Sequence, residues 1–398
     1  MIEGRDIICH ALPTWEGDYM KAVVQLMAEF ARHNRVIYVN YAYTYKDLIG
    51  IVLGKNTTPT SKVLGAGGRL ESRLKFENGE LFILYPPPVL PTNWIKKDAS
   101  YRYWQGRESQ KIGRSINKAQ QKLGFNKPIL INAFNPQFGL GVLGTLNEDL
   151  SIYYCYDEIN AAAWCKEHGR AMETDFLQAV DAVVCTSESL ITSKKKVNPN
   201  AYLVKNGVDH SLFQQAIKEE PSPDPVIGYI GSLDDRVDYE LLQRVAEKYS
   251  SCKLKLIGRI MCDEARELEA HCANVELTGA KQPGELIAEL KEVDLGLIPF
   301  VTNEFTKNVY PLKVNEYLAA GKAVVSTHFA DLSEFTEQIA ICDTTESFLD
   351  AIEKELRLNT ATQQQERSNW ARKNSWHNRA EQFSNIIYKL SNKNYARA

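Results

Sequence analysis

A lysine and a glutamate three residues apart are the pair best suited to chemistry in this 398-residue chain. Lys313 and Glu316 follow Pro311, which suits the first turn of a helix, and Gly321 suits the helix end. Residues three apart share one helix face, and a helix start attracts anions. The carboxylate could accept two hydroxyl hydrogen bonds, as from a ribose attached to a diphosphate. The same spacing also fits an ordinary exposed ion pair.

A second anion-binding element follows a probable strand at the start of the same region. The strand ends at Gly231-Ser232, and Arg236 precedes a helix. Glycine lets the backbone approach a ligand, and a guanidinium matches the oxygens of a phosphate group. The alternative is that Asp235 and Asp238 simply neutralise Arg236.

The elements that must position these residues are strands alternating with helices almost throughout the chain. This pattern predicts parallel sheets covered on both faces. It restarts after the proline-rich segment 221–225, so we expect α/β domains at 1–220 and 221–375. Ligands of such sheets bind beyond the carboxyl ends of the strands, and two facing domains would form a cleft. The final stretch, 376–398, could close its own domain or return to the first.

Composition limits the classes of partner. The chain has 47 Lys and Arg against 50 Asp and Glu, which argues against nucleic acid. Its seven histidines form no close ligand pair and no D-x-D occurs, so no metal is expected. The eight cysteines lie singly, as reduced thiols in a cytoplasmic protein do. We expect neither a secretory signal nor a membrane span.

Residues 46–75 interrupt the alternation with six basic residues and two acids, and glycines at 65, 67 and 68 mark a loop inside the segment. One interpretation is a solvated insertion. The other is a patch for an anionic acceptor or for the inner face of a membrane, which the protein would contact peripherally.

Three segments together resemble glycosyltransferase family 4, namely residues 311–322, 228–232 and 206–209. Thr186-Ser187-Glu188 and Ser375-Trp376 also fit, so the resemblance spans nearly the whole chain. It implies the GT-B architecture, in which two Rossmann-like domains face each other across a cleft, and retaining transfer from sugar nucleotides. The nearest members build bacterial envelope and capsular polysaccharides. The resemblance also implies that 376–398 packs back onto the first domain.

The resemblance assigns roles to individual residues. Arg236 and Lys313 match the basic residues that grip the diphosphate, and Glu316 matches the second glutamate of E-x7-E, which binds the ribose. The first glutamate of that motif is replaced by Asn308, and Glu304 lies one turn earlier.

The remaining site residues implied by the resemblance lie in both domains. Gly17 matches the glycine loop of the first domain. Asp157 and Glu158 fall where the family has an acceptor-side residue, and His168 is a weaker candidate, more typical of a helix surface. The other implied donor-binding residues are Gly231, Ser232, Tyr310, Pro311 and Leu312.

The expected function is therefore a metal-independent hexosyltransferase with no cofactor. It would move a sugar from a UDP-type or GDP-type donor to a hydroxyl of a glycan or lipid-linked acceptor. Arg236 and Lys313 would stabilise charge on the leaving diphosphate. Asp157, or the departing phosphate oxygen, would take the hydroxyl proton. The alternatives are a nucleotide-sugar epimerase or phosphorylase, or a non-catalytic protein that binds sugar nucleotides.

Overall fold

The computed structural model describes most of the chain as two α/β units. The described residues are 1–17, 21–52, 63–65, 68–159, 168–218, 220, 222–303 and 305–395, without the side chains of Val52, Asn308 and 393–395. Within them, the first unit comprises 1–17, 21–205 and 379–395, and the second comprises 206–378.

The first unit is built on an eight-stranded sheet. Its strands are β1 (Asp6–Ala11), β2 (Arg35–Val39), β3 (Leu70–Phe76), β4 (Gly79–Leu84), β5 (Ile129–Ala133), β6 (Leu150–Cys155), β7 (Ala182–Cys185) and β8 (Ala201–Leu203). They are ordered β3-β4-β2-β1-β5-β6-β7-β8. Neighbours are parallel except for β3 and β4, which form an antiparallel hairpin at one edge. β1 is buried along its whole length, as expected of a central strand between helical layers.

The helices of the first unit flank this sheet. They are α1 (Ala22–Phe30), α2 (Tyr45–Val52), α3 (Asp98–Leu123), α4 (Pro136–Gly139), α5 (Gly169–Ala179) and α6 (Glu188–Lys194). Most of the C-terminal helix Trp376–Tyr395 also belongs here, and its Phe383 ring packs 5.7 Å from that of Phe30 and 5.9 Å from that of Tyr154. Of the helices in the described ranges, none has the length and hydropathy that crossing a bilayer requires.

The second unit contains a six-stranded parallel sheet. Its strands are β9 (Val226–Ile230), β10 (Lys253–Ile257), β11 (Val275–Gly279), β12 (Leu295–Ile298), β13 (Ala323–Thr327) and β14 (Ala340–Cys342). Its helices are α7 (His210–Phe213), α8 (Tyr239–Lys248), α9 (Glu264–His271), α10 (Pro283–Glu292), α11 (Leu312–Ala319), α12 (Thr345–Leu358) and α13 (Ala361–Arg372). The order β11-β10-β9-β12-β13-β14 reverses direction between β9 and β12. Doubly wound sheets bind ligands beside such a switch point.

The division between the units falls before the proline-rich segment, between Lys205 and Asn206. The reason is that Val208, Phe213 and Ala216 are buried in the core of the second unit, where α7 packs against α11. Apolar contacts of the residues before the prolines therefore set the division.

The basic segment 46–75 is not one continuous loop. It contains α2 and the edge strand β3, while Lys55, Lys62 and Gly67 lie outside the described residues. The Arg69 guanidinium donates to the carbonyls of Val63, Leu64, Tyr85 and Pro86. Arg69 therefore ties neighbouring backbone segments together and does not face solvent as a free cation.

Candidate functional site

A cavity of about 310 Å³ lies within the second unit, at the carboxyl ends of β9, β10 and β11. Its lining contains four cationic side chains, those of Arg236, Arg259, Lys281 and Lys313, and one carboxylate, that of Glu316. The other lining residues are apolar or small, namely Ile230, Gly231, Ser232, Ile257, Gly258, Ala280, Pro283, Leu286 and Leu312. Arg236 is paired with Asp234 at 2.5 Å and Lys281 with Glu289 at 2.7 Å, and the lining as a whole still suits an anionic ligand.

Lys313 places a cation at the cavity wall, and no carboxylate of the described residues forms an ion pair with it. Its Nζ lies 5.1 Å from the ring centroid of Phe300 and 5.8 Å from that of Tyr229. It donates no hydrogen bond to any residue in the described ranges. Burial and the nearby Arg236 lower its pKa to about 8, although the carboxylates of Glu316 and Asp234 oppose that shift. An anionic ligand would supply the missing partner.

Glu316 lies one turn further along α11 and also lines the cavity. Burial raises the pKa of its carboxyl group, while Lys313 acts in the opposite direction. Across the described part of the chain, no side chain or backbone group donates a hydrogen bond to it. Its carboxylate therefore keeps the capacity to accept hydrogen bonds from a ligand diol.

Arg236 lies in the loop after β9, and its guanidinium is 5.7 Å from the Phe300 ring that Lys313 also approaches. The structure thus brings Arg236 and Lys313 to the same cavity. The Nε and Nη2 of Arg236 donate to the Asp234 carboxylate at 2.8 and 2.5 Å. The alternative interpretation named Asp235 and Asp238 as the acids that neutralise Arg236, whereas the carboxylate bound to it is that of Asp234. Asp238 instead caps α8 by accepting the Leu241 N–H at 2.9 Å.

Two glycines allow the backbone to pass close to these groups. Gly231 has φ 131°, and a Cβ built there would lie 2.1 Å from the Lys313 Cε. At Gly258 a Cβ would lie 1.8 Å from the Gly231 carbonyl oxygen. Any larger residue would collide with the neighbouring loop or displace the lysine.

Tyr317 fixes the helix that carries Lys313 and Glu316 against the sheet. Its buried hydroxyl accepts the Ile230 N–H at 2.8 Å and lies 3.2 Å from the Gly228 carbonyl oxygen. Pairing between β9 and β12 is limited to Ile227–Leu295 and Gly228–Gly296. The tyrosine therefore satisfies an N–H at the point where the two strands separate.

The remaining predicted donor residues are only partly at the cavity. Ser232 and Leu312 line it, whereas Pro311 and Tyr310 do not. The N–H groups of Leu312 and Val314 donate to the carbonyls of Tyr310 and Pro311 at 2.9 and 3.0 Å. These two N–H groups at the start of α11 are therefore already hydrogen-bonded and do not point freely at an anion.

Other predicted residues lie elsewhere. The Asn308 side chain and Glu304 are outside the described residues. Gly17 and Asp157 belong to the first unit, where the Asp157 carboxylate accepts the N–H of Glu158 at 2.8 Å. His168 is buried, not on a helix surface. Its ring stacks on Tyr101 at 3.9 Å and bonds the Ile95 carbonyl at 2.7 Å.

Sequence reasoning missed half of the cavity wall. The residues concerned end or follow β10, follow β11, or lie in the first turn of α10, and they are Ile257, Gly258, Arg259, Ala280, Lys281, Pro283 and Leu286. Both strands could be predicted from the apolar pattern. The rule that ligands meet the carboxyl ends of parallel strands could therefore have identified Arg259 and Lys281.

The first unit holds a different cluster of buried charges. The Lys194 ammonium lies 2.8 Å from the Glu173 carboxylate and 3.2 Å from that of Glu158. Glu173 also accepts the Tyr153 hydroxyl at 3.0 Å. Lys194 and Glu173 are each almost fully buried, so hydrogen bonding compensates their loss of solvent.

The match to a known protein family lies in the second unit. Residues 224–357 match the family described as glycosyl transferases group 1. That segment contains every residue of the cavity lining. The chain is also 27% identical over 225 residues to a protein of Bacillus subtilis (strain 168) named as a candidate teichuronic acid biosynthesis glycosyltransferase, TuaH. The alignment covers 52% of this chain and spans 56% of the relative's length.

Solved structures agree on the fold. A trehalose 6-phosphate synthase from Burkholderia multivorans superposes with a TM-score of 0.66 at 11% identity, over 100% of both chains. The catalytic domain of Arabidopsis thaliana starch synthase IV, bound to ADP and acarbose, gives 0.64 at 10% identity over 98% of this chain and 100% of that one. Anabaena Alr3699/HepE with UDP and glucose gives 0.62 at 12%, over 97% and 100%. The predicted GT-B architecture of two Rossmann-like α/β units is therefore confirmed.

Proposed function

We propose that this protein is a glycosyltransferase that moves a sugar from a nucleotide-diphosphate sugar to a hydroxyl of a glycan or lipid-linked acceptor during polysaccharide synthesis. One observation carries the proposal. A cavity at the carboxyl ends of β9 to β11 combines four cations with a glutamate that accepts no hydrogen bond from the described residues, inside the segment that matches group 1 glycosyl transferases. The likeness to TuaH supports polysaccharide synthesis as the setting.

In this proposal the diphosphate binds beside Lys313 and Arg236, and Glu316 accepts hydrogen bonds from the ribose. Breaking the bond between sugar and diphosphate leaves negative charge on the diphosphate. Two preorganised cations stabilise that charge as it grows, which is worth one to three orders of magnitude in rate. Pro283, Leu286 and Ile257 offer an apolar wall for the nucleobase.

The finer features belong to the same proposal. We propose membership of glycosyltransferase family 4, retention at the anomeric carbon, hexose as the sugar, a UDP or GDP donor, and no metal. Asp157 or the departing phosphate oxygen takes the proton of the acceptor hydroxyl. NMR of the product would show the anomeric configuration, and full turnover in EDTA would support metal independence.

Titration calorimetry tests the donor site directly. UDP, GDP and ADP are the probes, and at least one should bind the wild-type protein. Lys313→Met should weaken that binding about tenfold or more, because a charge-assisted contact is lost. Arg244→Met is the matched control, since Arg244 is an exposed cation on α8 outside the cavity.

Two results would contradict the proposal. One is failure of all three nucleotides to bind, and the other is an equal loss in both variants. Turnover assays then separate the alternatives. An epimerase needs no acceptor, a phosphorylase needs inorganic phosphate, and a non-catalytic protein binds the donor without consuming it.

A further inference from the structure

A cavity of about 290 Å³ lies within the first unit. Most of its wall follows the carboxyl ends of four neighbouring strands, namely β4, β2, β1 and β5. The strand order reverses at this point, because β2 lies on one side of β1 and β5 lies on the other. Doubly wound sheets bind ligands beside such a switch point, so the position of the cavity favours a binding site.

The described residues that form this wall include no charged side chain. Its hydroxyl and amide groups are those of Thr44, Thr92, Asn93, Gln105 and Gln137. The other residues of the wall are aliphatic or aromatic. The cavity of the second unit, with its four cationic side chains, is the opposite case. An uncharged wall that mixes amides with apolar groups suits a ligand that has hydroxyls and C–H faces but no net charge.

Gln105, on α3, is a polar residue of this wall whose hydrogen bonding is incomplete. Its side chain is buried, and its Oε1 accepts the Thr92 hydroxyl at 2.6 Å. Its Nε2 is shielded from water and has no hydrogen-bond partner in the described part of the chain. A buried amide N–H without a partner costs folding free energy, and a ligand hydroxyl that accepts its hydrogen bond would recover that cost.

The Gln105 side chain has room to turn. A smaller cavity of about 140 Å³ is also lined by Gln105 and Gln137, so the Gln105 amide borders two open spaces. Turning toward the larger cavity would bring one end of the amide to a ligand there. A sugar hydroxyl both donates and accepts hydrogen bonds, and it can therefore satisfy whichever end of the amide faces it.

We propose that the cavity of the first unit selects an uncharged sugar, with the Gln105 amide hydrogen-bonded to one of its hydroxyls. The inference rests on the proposed function in one respect, since the sugar is then the acceptor or its terminal unit. A uronic acid or a sugar phosphate would bring a negative charge to a wall without a cation, which is costly. A hydrocarbon chain would fill the cavity but leave the Gln105 N–H without a partner.

Saturation-transfer NMR with matched glycosides tests the proposal and needs no donor. The probes are the methyl glycosides of glucose, galactose and mannose, each beside the methyl glycoside of the corresponding uronic acid. At least one neutral glycoside should bind the wild-type protein. Its binding should be about tenfold or more tighter than the Gln105-dependent binding of its uronic counterpart, because the carboxylate finds no cation in this wall.

Variants of Gln105 assign the binding to this cavity. Gln105→Glu keeps an oxygen for the Thr92 hydroxyl and removes the N–H donor, so it should weaken binding of the neutral glycoside about three- to tenfold. Gln105→Leu should weaken it similarly without adding a charge. Gln120→Leu is the matched control, because Gln120 is a buried glutamine on the same helix and lies outside the cavity. Thermal unfolding verifies that each variant is folded.

Three outcomes would overturn the proposal. The first is that none of the neutral glycosides binds, and the second is equal weakening by Gln105→Leu and Gln120→Leu. The third is a uronic glycoside that binds as tightly as the neutral one and loses its affinity in Gln105→Leu. Nucleoside diphosphate affinity should be the same in all these variants. Nucleotide binding without glycoside binding would therefore overturn only this inference, and the reverse result would contradict the donor site.

Discussion

A lysine lies near a glutamate in each unit, the buried Lys194 in the first and the half-buried Lys313 in the second, and the two pairs differ in whether the charges meet. In the first unit Lys194 contacts Glu173 and Glu158 within 3.2 Å. In the second, Lys313 donates no hydrogen bond to Glu316 or to any other described residue. Burial acts to lower the pKa of both lysines. For Lys194 this effect is outweighed by Cys155, Glu173 and Glu158, so that its pKa is raised above the usual value. For Lys313 it is not outweighed, and the pKa falls to about 8.

The contrast separates structural charges from charges held for a ligand. A buried ion cluster with satisfied hydrogen bonds is destabilising only when one partner is removed. A desolvated cation without a counter-ion costs folding free energy that a bound anion can offset. We infer that a bound anion, the proposed donor, would complete the arrangement of charges at the cavity of the second unit.

The largest expected effect concerns removal of each lysine. Lys194→Met leaves Glu173 buried without its cation and should lower the free energy of unfolding by about 3–5 kcal/mol. Lys313→Met should leave the unfolding free energy of the ligand-free protein unchanged or raise it, because a desolvated charge is removed. Urea unfolding at pH 7 measures both. Equal destabilisation by the two substitutions would remove the contrast.

A smaller effect is expected from crowding the cavity lysine. Gly231→Ala places a Cβ 2.1 Å from the Lys313 Cε at φ 131°, so the lysine must move and the backbone is strained. Stability should fall by about 1–3 kcal/mol, and affinity for the nucleoside diphosphate should fall with it. Gly284→Ala is the control, because no atom within 4 Å would meet its Cβ on α10. Nucleotide affinity that survives Gly231→Ala intact would argue against a role for Lys313.

The smallest effect is a pH dependence of ligand binding. Because the pKa of Lys313 in the free protein is about 8, binding above that pH requires uptake of a proton. Affinity for the nucleoside diphosphate should then fall by up to about tenfold per pH unit. The contribution of Lys313 to the unfolding free energy should change in the opposite sense, rising between pH 8 and about 10.4, since the unfolded chain binds more protons there.

Calorimetry from pH 7 to 9.5 checks this dependence. Lys313→Arg should retain affinity over the range, because a guanidinium stays protonated. The titration of the ligand itself is common to both proteins. Parallel pH profiles for the wild type and Lys313→Arg would show that another group titrates.

Much of the cavity could be predicted because its residues are close in sequence. Lys313 and Glu316 share a helix face through a fixed spacing, and Gly231 follows a strand with a clear apolar pattern. The partner of Arg236 could not be predicted, because three nearby aspartates compete and the turn conformation selects Asp234. The Lys194 cluster joins residues from separate elements, so no local pattern indicates it.

The edge strand β3 could have been predicted from its sequence. Glu71, Arg73 and Lys75 are charged and alternate with Leu70, Ser72, Leu74 and Phe76, which is the period of a strand with one polar face. The turn between β3 and β4 consists of Glu77 and Asn78, and neither they nor Gly79 has a positive φ, so the Asn78-Gly79 pair does not form the turn that this dipeptide usually indicates. Edge strands tolerate charge because only one side of them is paired.

The buried hydroxyl of Tyr317 has a consequence for how the second unit can move. The same helix carries this anchor and both ligand-facing charges, so α11 cannot slide along the sheet without breaking the bond to Ile230. Tyr317 therefore fixes the position of both charges relative to the end of β9. Without its hydroxyl, the ammonium and the carboxylate would shift together against the loop that carries Gly231.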